Sequence, residues 1–198
     1  ATRASLLSGY RPDRGRIYLN GPLYRHVPEA LALNRHFQAH GYDTISIGKI
    51  YHHASDEQVG WDRVVHHRGA WQGRGYLSAE GIRLAAEYDR AHPDGDRHGM
   101  GPAFEGPDVS DAAYEDGMIA DEAIAELRRP RQRPFFLAVG FKKPHLPFNA
   151  PQRYWDLYRP EDIALAPNPF APKGAPALAL TQWGELRGYH GMPALGPM

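Results

Sequence analysis

The sequence has no cysteine among its 198 residues, and its 23 basic residues are balanced by 23 acidic ones. The lack of cysteine excludes a disulfide framework, a thiolate metal site and a thiol nucleophile within this chain. The lack of net charge gives no indication of binding to nucleic acid or to an anionic membrane. No apolar run approaches the ~20 residues that a membrane-spanning helix needs, so we expect a soluble globular chain without a membrane span.

Glycine and proline are abundant, with 21 and 18 residues, which together make up about a fifth of the chain. This content excludes an extended coiled coil and favours short elements joined by turns. The length is typical of one domain. The sequence starts at Ala1 without a leader, and its last residues complete no recognisable element. We therefore expect part of a single catalytic domain, truncated at both ends, whose missing residues lie beyond the chain.

Apolar spacing predicts four helices, over 1–9, from Pro28 to about 40, over 78–92 and over 116–129. The first should end on Gly9, and the second should begin at Pro28. In the fourth, Asp116 is predicted to cap the start, and one face should carry Ala120, Ala123, Ile124 and Leu127. Between Tyr51 and Asp108 only the third helix shows clear periodicity, and a loop region of this length is typical of a functional segment.

Two segments have the composition of strands. Tyr42–Ile47 alternates with a period of two, whereas Pro134–Phe141 is apolar throughout, as in a strand that helices cover on both faces of a parallel sheet. Strands alternating with helices predict an α/β fold.

Both predicted strands lead into a lysine and a histidine. The first strand is followed by Lys49 and His52. The second is followed by Lys142, Lys143 and His145. In open α/β sheets ligands bind beyond the carboxyl ends of the strands, so neighbouring strands would bring these groups to one space. A lysine ammonium suits sulfate or phosphate oxygens, and a histidine moves protons near neutral pH. The alternative is that these are solvent-exposed loop residues without a role in binding.

Other histidines are weaker candidates. His36 and His40 have the i, i+4 spacing of a zinc-binding helix, but neither an HExxH pattern nor a third ligand accompanies them. The tandem pairs 52–53 and 66–67 need not point the same way, so they give little support for a metal site. We interpret these groups mainly as surface residues.

Residues 1–9, ATRASLLSG, match the later positions of the motif C-x-[P/A]-[S/T]-R-x-x-x-L-[S/T]-G. With the stretches 41–52 (GYDTISIGKIYH), 134–148 (PFFLAVGFKKPHLPF) and 163–169 (IALAPNP), the chain resembles the sulfatase family, in its iduronate-2-sulfatase-like branch. The resemblance implies an alkaline-phosphatase-like α/β fold, a mostly parallel sheet flanked by helices, of which this chain holds an incomplete part. It also implies hydrolysis of an organic sulfate ester, with a carbohydrate as the expected substrate.

The nucleophile that the resemblance implies is a formylglycine, made by a maturation enzyme from a Cys or Ser two positions before Ala1. The resemblance also implies a calcium ion, whose ligands would lie outside this chain. It further implies a periplasmic or secreted location. By resemblance, Arg3 would hold the nucleophile, and Lys49 and Lys143 would bind sulfate oxygens. One of His52 and His145 would act on the hydrated aldehyde and the other on the leaving group, and the resemblance does not say which does which. His145 would also bind the substrate. The isolated chain is expected to be inactive.

Two rival functions are consistent with the same residues. A phosphodiesterase or phosphonate monoester hydrolase of the same superfamily would also bind a tetrahedral anion with lysines. A non-catalytic protein that binds sulfated glycans would keep the anion site without the nucleophile. The choice of substrate should depend on the irregular stretch 51–108 and on the residues after Asn149, because variable loops shape the pocket above the edge of the sheet.

Overall fold

The computed structural model describes residues 1–52, 55–66, 75–95, 97–165, 167–168, 170–179 and 184–193. They form two compact units. The first takes the described residues of Ala1–Arg68 and Glu115–Lys142, and the second takes those of Gly69–Tyr114 and Lys143–Met198. No helix in the described part of the chain is long and apolar enough to cross a bilayer. The prediction of a single catalytic domain stays a prediction.

The helices and strands of the described residues are short. The α-helices are α1 Thr2–Ser8, α2 Pro12–Gly15, α3 Leu23–His26, α4 Leu33–Ala39, α5 Ala79–Ala91, α6 Glu115–Arg128 and α7 Gln152–Trp155. The strands are β1 Asp43–Gly48, β2 Arg63–Val65, β3 Phe104–Glu105, β4 Phe135–Gly140 and β5 Phe148–Asn149.

A parallel sheet in the order β2-β1-β4 organises the first unit. Strand β1 is central, and its residues 44–48 are buried. Ile45 and Ile47 pack against Ile119 of α6 on one face. On the other face the ring of Phe136 stacks on Phe37 of α4 and on Trp61. Helices therefore cover both faces of the sheet, and the prediction of an α/β fold is confirmed.

Helix α4 starts at Leu33, five residues later than predicted from Pro28. The preceding chain instead forms α3, which ends at His26. Val27 after it has non-helical backbone angles, because the helical conformation is disfavoured for a residue before proline. Ala30 and Ala32 are fully buried in the connection. The apolar residues that suggested an earlier helix are therefore core residues of a turn.

Helix α6 lies where the sequence predicts it, but it buries a different face. Ile119, Ala123 and Glu126 are buried, whereas Ile124 and Leu127 are 45% and 60% exposed. The buried Glu126 carboxylate forms ion pairs with Arg63, Arg129 and Arg131. Burial alone would raise the pKa of Glu126, but the hydrogen bond from Arg131 and the charge of Arg63 lower it instead. The helix begins at Glu115, so Asp116 lies inside its first turn rather than before it, and its carboxylate accepts a hydrogen bond from the Lys142 amide at 2.8 Å.

Strand β2 has only three residues and no sequence signal distinguishes it from the loop around it. Strand β4 is half-buried along most of its length, less than predicted from its apolar composition, because among the described residues it pairs with β1 alone. In the second unit, β3 and β5 form a two-stranded parallel sheet. Helix α5 lies within the predicted range 78–92, and Ser78 caps it, its side chain accepting from Gly81 N–H at 3.0 Å.

Candidate active site

Two glycines bring the carboxyl ends of β1 and β4 together. Gly48 pairs with Gly140, and the amide of Lys49 donates to the Gly140 carbonyl at 2.7 Å. A Cβ on Gly48 would lie 2.4 Å from that carbonyl oxygen, and one on Gly140 would lie 1.9 Å from the Lys49 carbonyl oxygen. Gly48 also has a φ of 75°, which other residues rarely adopt. Only glycine fits at these two positions, and so the chain after β1 runs close to the end of β4.

The side chain of Lys49 extends from this junction and is half-buried. Burial lowers the pKa of Lys49, and the positive charge of Arg3 lowers it further, while the carboxylate of Glu57 opposes both effects. An ammonium in such surroundings is partly desolvated, so its attraction for an anion is stronger than that of a lysine in water. Lys49 is thus placed at the carboxyl edge of the sheet, as predicted.

Arg3 of α1 fixes the backbone of the Lys49 loop. Its Nη1 donates to the carbonyl oxygen of Lys49 and, at 3.1 Å, to that of Ile50. The helix itself ends as predicted, with Gly9 in the left-handed conformation at a φ of 71°. Arg3 therefore holds the loop in place through its backbone and adds a positive charge beside Lys49.

The next residues of the loop divide between core and surface. Tyr51 is 1% exposed, and its hydroxyl donates to Asn34 Oδ1 at 3.0 Å. Burial raises the pKa of Tyr51, so it stays protonated and structural. His52, predicted as a proton-transfer residue, is exposed. Within the motif GKIYH, the tyrosine anchors the loop while the lysine and the histidine remain at its outer side.

A carboxylate that the sequence did not predict lies near this loop. Glu57 belongs to a short 3-10 turn, Asp56–Gln58, and its Oε2 is 3.7 Å from Nε2 of His66. Burial raises the pKa of Glu57, while the charges of His66, Lys49 and Arg3 oppose this effect. No periodic pattern marks Glu57, because it lies in an irregular stretch where only the folded chain brings it to the lysine.

Lys142 follows β4 and has a carboxylate partner of its own. Its ammonium donates to Glu115 Oε2 at 2.6 Å, and only 10% of the Glu115 side chain is exposed. Lys142 is therefore held by the first turn of α6 through a paired charge as well as through its amide on Asp116.

Lys143 and His145 belong to the second unit. The Lys143 ammonium donates to the carbonyl oxygens of His145, at 3.2 Å, and of Pro147. His145 is exposed, and its Nδ1 lies 2.6 Å from the carbonyl oxygen of Leu146. The Lys143 side chain thus closes a loop with carbonyls that follow it in sequence. Its predicted partnership with Lys49 around one anion stays a prediction.

The described members of the weaker histidine candidates form no metal site. His36 and His40 are exposed and their rings are 4.2 Å apart. Among the residues that the structure describes, no three His, Asp or Glu side chains form a group that would hold a metal ion. His53 and His67 lie outside the described residues.

Comparison with known proteins decides which family this arrangement belongs to. Residues 1–167 match the sequence profile of the Sulfatase family. The chain belongs to the sulfatase family. It is 31% identical to iduronate 2-sulfatase of Homo sapiens over 98% of its own length and 35% of the relative's. It is 30% identical to an ulvan-active sulfatase of Formosa agariphila, over 95% of its own length and 33% of the relative's. The chain thus spans about a third of the length of the curated relatives it matches.

A solved structure supports the fold of this sulfatase chain. The phosphonate monoester hydrolase of Agrobacterium radiobacter superposes with a TM-score of 0.54 and 21% identity, covering 82% of this chain and 35% of that one. The predicted resemblance to sulfatases and the predicted alkaline-phosphatase-like fold are both confirmed. In the first unit of this sulfatase chain, Lys49 and Arg3 form a positively charged edge suited to a tetrahedral anion.

Proposed function

We propose that the complete protein containing this chain hydrolyses an organic sulfate ester on a carbohydrate. The observation that carries the proposal is the half-buried Lys49 at the carboxyl edge of a parallel sheet, on a loop that Arg3 holds by two backbone carbonyls. Membership of the sulfatase family supports the reaction. The names of two relatives, iduronate 2-sulfatase and ulvan-active sulfatase, support a carbohydrate substrate.

In this proposal the residues of the chain bind and orient the ester. Lys49 and Lys143 donate to the sulfate oxygens, where negative charge grows in the transition state. Arg3 keeps the Lys49 loop in place and favours an anionic group beside the start of α1. His52 and His145 move protons, one at the nucleophile and one at the departing alcohol oxygen.

The nucleophile is proposed to be a formylglycine two positions before Ala1, produced from Cys or Ser by a maturation enzyme. When hydrated, this group would supply the hydroxyl nucleophile: one histidine would take its proton as its oxygen bonds to sulfur, the ester S–O bond would break, and the other histidine would protonate the departing alcohol. Arg3 lies in the first turn of α1, so it places a cation close to the start of the helix, which supports such a group there. We also propose a periplasmic or secreted location for the complete protein.

Calcium is the metal that the family suggests. The described residues of this chain do not fit it, since they offer no group of three His, Asp or Glu side chains. The steps assigned here to Lys49, Lys143 and the histidines therefore do not involve the metal. In this proposal its ligands lie outside the residues that the structure describes.

The proposal is tested by assaying the complete protein with aryl sulfate and aryl phosphate esters in parallel. We expect sulfate release with the sulfate ester and a much lower rate with the phosphate. A preference for phosphate mono- or diesters would instead assign the same anion site to a phosphohydrolase.

The residue two positions before Ala1 provides a second test. We expect Cys or Ser there, and we expect its replacement by Ala to abolish sulfate release. Substitution of the exposed Lys173 by Ala is a matched control that should leave the rate unchanged. Another residue at that position, with retained binding of sulfated glycans, would favour a non-catalytic binding protein.

A further inference from the structure

Glu105 of β3 is a buried carboxylate that accepts hydrogen bonds from three residues of the second unit. Its Oε1 accepts from the Leu77 amide and from the Tyr114 hydroxyl, each at 2.7 Å. Its Oε2 accepts from the amide and the hydroxyl of Ser78, at 3.2 Å and 2.6 Å. Burial raises the pKa of Tyr114, and the hydrogen bond to Glu105 raises it further, so the phenol stays protonated and donates. Both carboxylate oxygens are therefore bound to donors, and the side chain is held in one place.

These donors attach Glu105 to the start of α5. Ser78 caps this helix of 13 residues, and its hydroxyl accepts from the Gly81 amide while it donates to Glu105. A carboxylate in front of a helix N-terminus is also favoured by the helix dipole. A Cβ at position 81 would lie 2.9 Å from Glu105 Oε2, so the glycine leaves the space that the carboxylate occupies. A single side chain thus fixes β3 to α5.

The backbone of β3 in turn fixes β5. Glu105 is the register partner of Asn149 in the parallel pair of strands. The amide of Phe148 donates to the Ala103 carbonyl at 2.7 Å, and the amide of Ala150 donates to the Glu105 carbonyl at 3.2 Å. The position of β5 therefore depends on where Glu105 holds β3.

Strand β5 is continuous with the loop that carries Lys143. Pro147 directly precedes the strand and is fully buried. Its carbonyl oxygen accepts a hydrogen bond from the Lys143 ammonium, which also donates to the His145 carbonyl at 3.2 Å. Hydrogen bonds and one peptide link, all within the second unit, therefore connect the Glu105 carboxylate to the Lys143 ammonium.

We propose that Glu105 is a positioning residue, which fixes β3 and β5 so that the Pro147 carbonyl holds the Lys143 ammonium in place for the ester. This inference rests on the proposed function of Lys143. Glu105 does not contact the ester in this proposal, because its carboxylate oxygens already accept from Leu77, Ser78 and Tyr114. It acts through Lys143, whereas a carboxylate that only stabilised the unit would act independently of that lysine.

The test is a double-mutant cycle in the complete protein, with kcat/KM for an aryl sulfate ester as the measurement. Glu105→Gln presents an amide donor to groups that are themselves donors, so the strand should shift. We expect kcat/KM to fall by about tenfold, within the range that a small misplacement of a binding group costs. In the Lys143→Ala background the same substitution should lower kcat/KM by less than about twofold, because two changes that act through one group are not additive.

Glu126→Gln is the matched control, because Glu126 is a buried carboxylate of the first unit that is paired with Arg63 and Arg131. Any loss of kcat/KM that it causes should be equally large with Lys143 and with Ala at position 143. An equally large effect of Glu105→Gln in both backgrounds would overturn the proposal, since it would indicate general destabilisation. So would an unchanged kcat/KM in Glu105→Gln. If Glu105→Gln does not fold, the cycle is made with Tyr114→Phe, which removes one donor and should lower kcat/KM by about threefold only while Lys143 is present.

A second measurement does not depend on activity. Hydrogen–deuterium exchange of the Phe148 and Ala150 amides reports whether β5 stays bound to β3. We expect exchange to be roughly threefold to tenfold faster in Glu105→Gln and unchanged in Glu126→Gln. Unchanged exchange in Glu105→Gln contradicts the inference. If Lys143→Ala has no effect on turnover but exchange responds to Glu105→Gln, the proposed function of Lys143 fails and the link from Glu105 to β5 stands.

Discussion

The loops after β1 and β4 carry similar sequences, GKIYH and KKPH, but they are held in different ways. The Lys49 loop is fixed by other elements, through Arg3 of α1 and the Gly140 carbonyl at the end of β4. The Lys143 ammonium instead donates to carbonyl oxygens of its own loop, those of His145 and Pro147. A lysine and a histidine follow a strand in both cases. However, the backbone of Lys49 is held by neighbouring elements, whereas the side chain of Lys143 binds to carbonyls of its own loop.

This difference has a consequence for anion binding. Lys49 is half-buried beside Arg3, and its pKa is lowered, so an incoming anion would relieve repulsion that already exists. Lys143 has carbonyl oxygens as partners, and an anion would have to compete with them. If both lysines bind the sulfate of one ester, substitutions at each should lower turnover, and their pH dependence should differ with their surroundings.

The largest effect is expected for Lys49→Ala and Lys143→Ala in the complete enzyme. Each removes a donor to the sulfate oxygens, so turnover of an aryl sulfate ester should fall by about 10² to 10³. Lys173→Ala is the control, because Lys173 is an exposed lysine of the second unit. A turnover close to that of the unmodified enzyme in either variant would exclude that lysine from the site.

Replacement of Arg3 by Gln should have a smaller effect, and one confined to the Lys49 loop. Gln cannot make the charged contacts to both carbonyls, so we expect kcat to fall by about tenfold, which corresponds to about 1.4 kcal/mol. The Lys49 titration should shift to higher pH, because the repelling charge is gone. A loss as large as that of Lys49→Ala would show that Arg3 also acts on the ester or the nucleophile directly.

Substitution by Arg separates the two lysines by pH. Lys49 binds the anion only while protonated, and its lowered pKa means that this ability is lost at lower pH than for an ordinary lysine. Arginine stays protonated, so the activity that Lys49→Arg retains should persist to higher pH. Lys143→Arg should keep the alkaline side of the profile unchanged. An identical alkaline shift in both variants would contradict the assignment of this ionisation to Lys49.

The smallest effect is expected for Lys142→Ala. Lys142 is paired with Glu115 at 2.6 Å, so its loss should lower the free energy of unfolding by about 1 to 3 kcal/mol. Turnover should change by less than about threefold, because a paired ammonium that does not bind the ester adds little to the transition state. Thermal unfolding and steady-state kinetics measure the two effects separately. A hundredfold loss of turnover would place Lys142, rather than Lys143, at the sulfate.

Much of the fold was predictable from local pattern. The alternation in 42–47 and the apolar run in 134–141 correspond to β1 and β4, and Ser78 and Gly9 mark helix ends as expected. The start of α4 and the inner face of α6 were not predictable. In both cases a tertiary partner, the core around Ala30 or the arginines around Glu126, overrides the local preference.

The candidate site was predictable only in part, for a related reason. Lys49 could be expected at the sheet edge because a strand pattern precedes it and ends at Gly48. Glu57 could not, because it lies in an irregular stretch and only the folded chain brings its charge to bear on Lys49.

The residue pattern alone determined the class of fold, the pairing of a lysine with a histidine after each strand, and the family. These follow from side-chain periodicity and short motifs, which are properties of neighbouring residues. Tertiary structure decided which groups shift the pKa of Lys49: the charge of Arg3 lowers this pKa and the carboxylate of Glu57 raises it. Electrostatic energy depends on distance and burial in space, so residues far apart in sequence settle it only when the chain has folded.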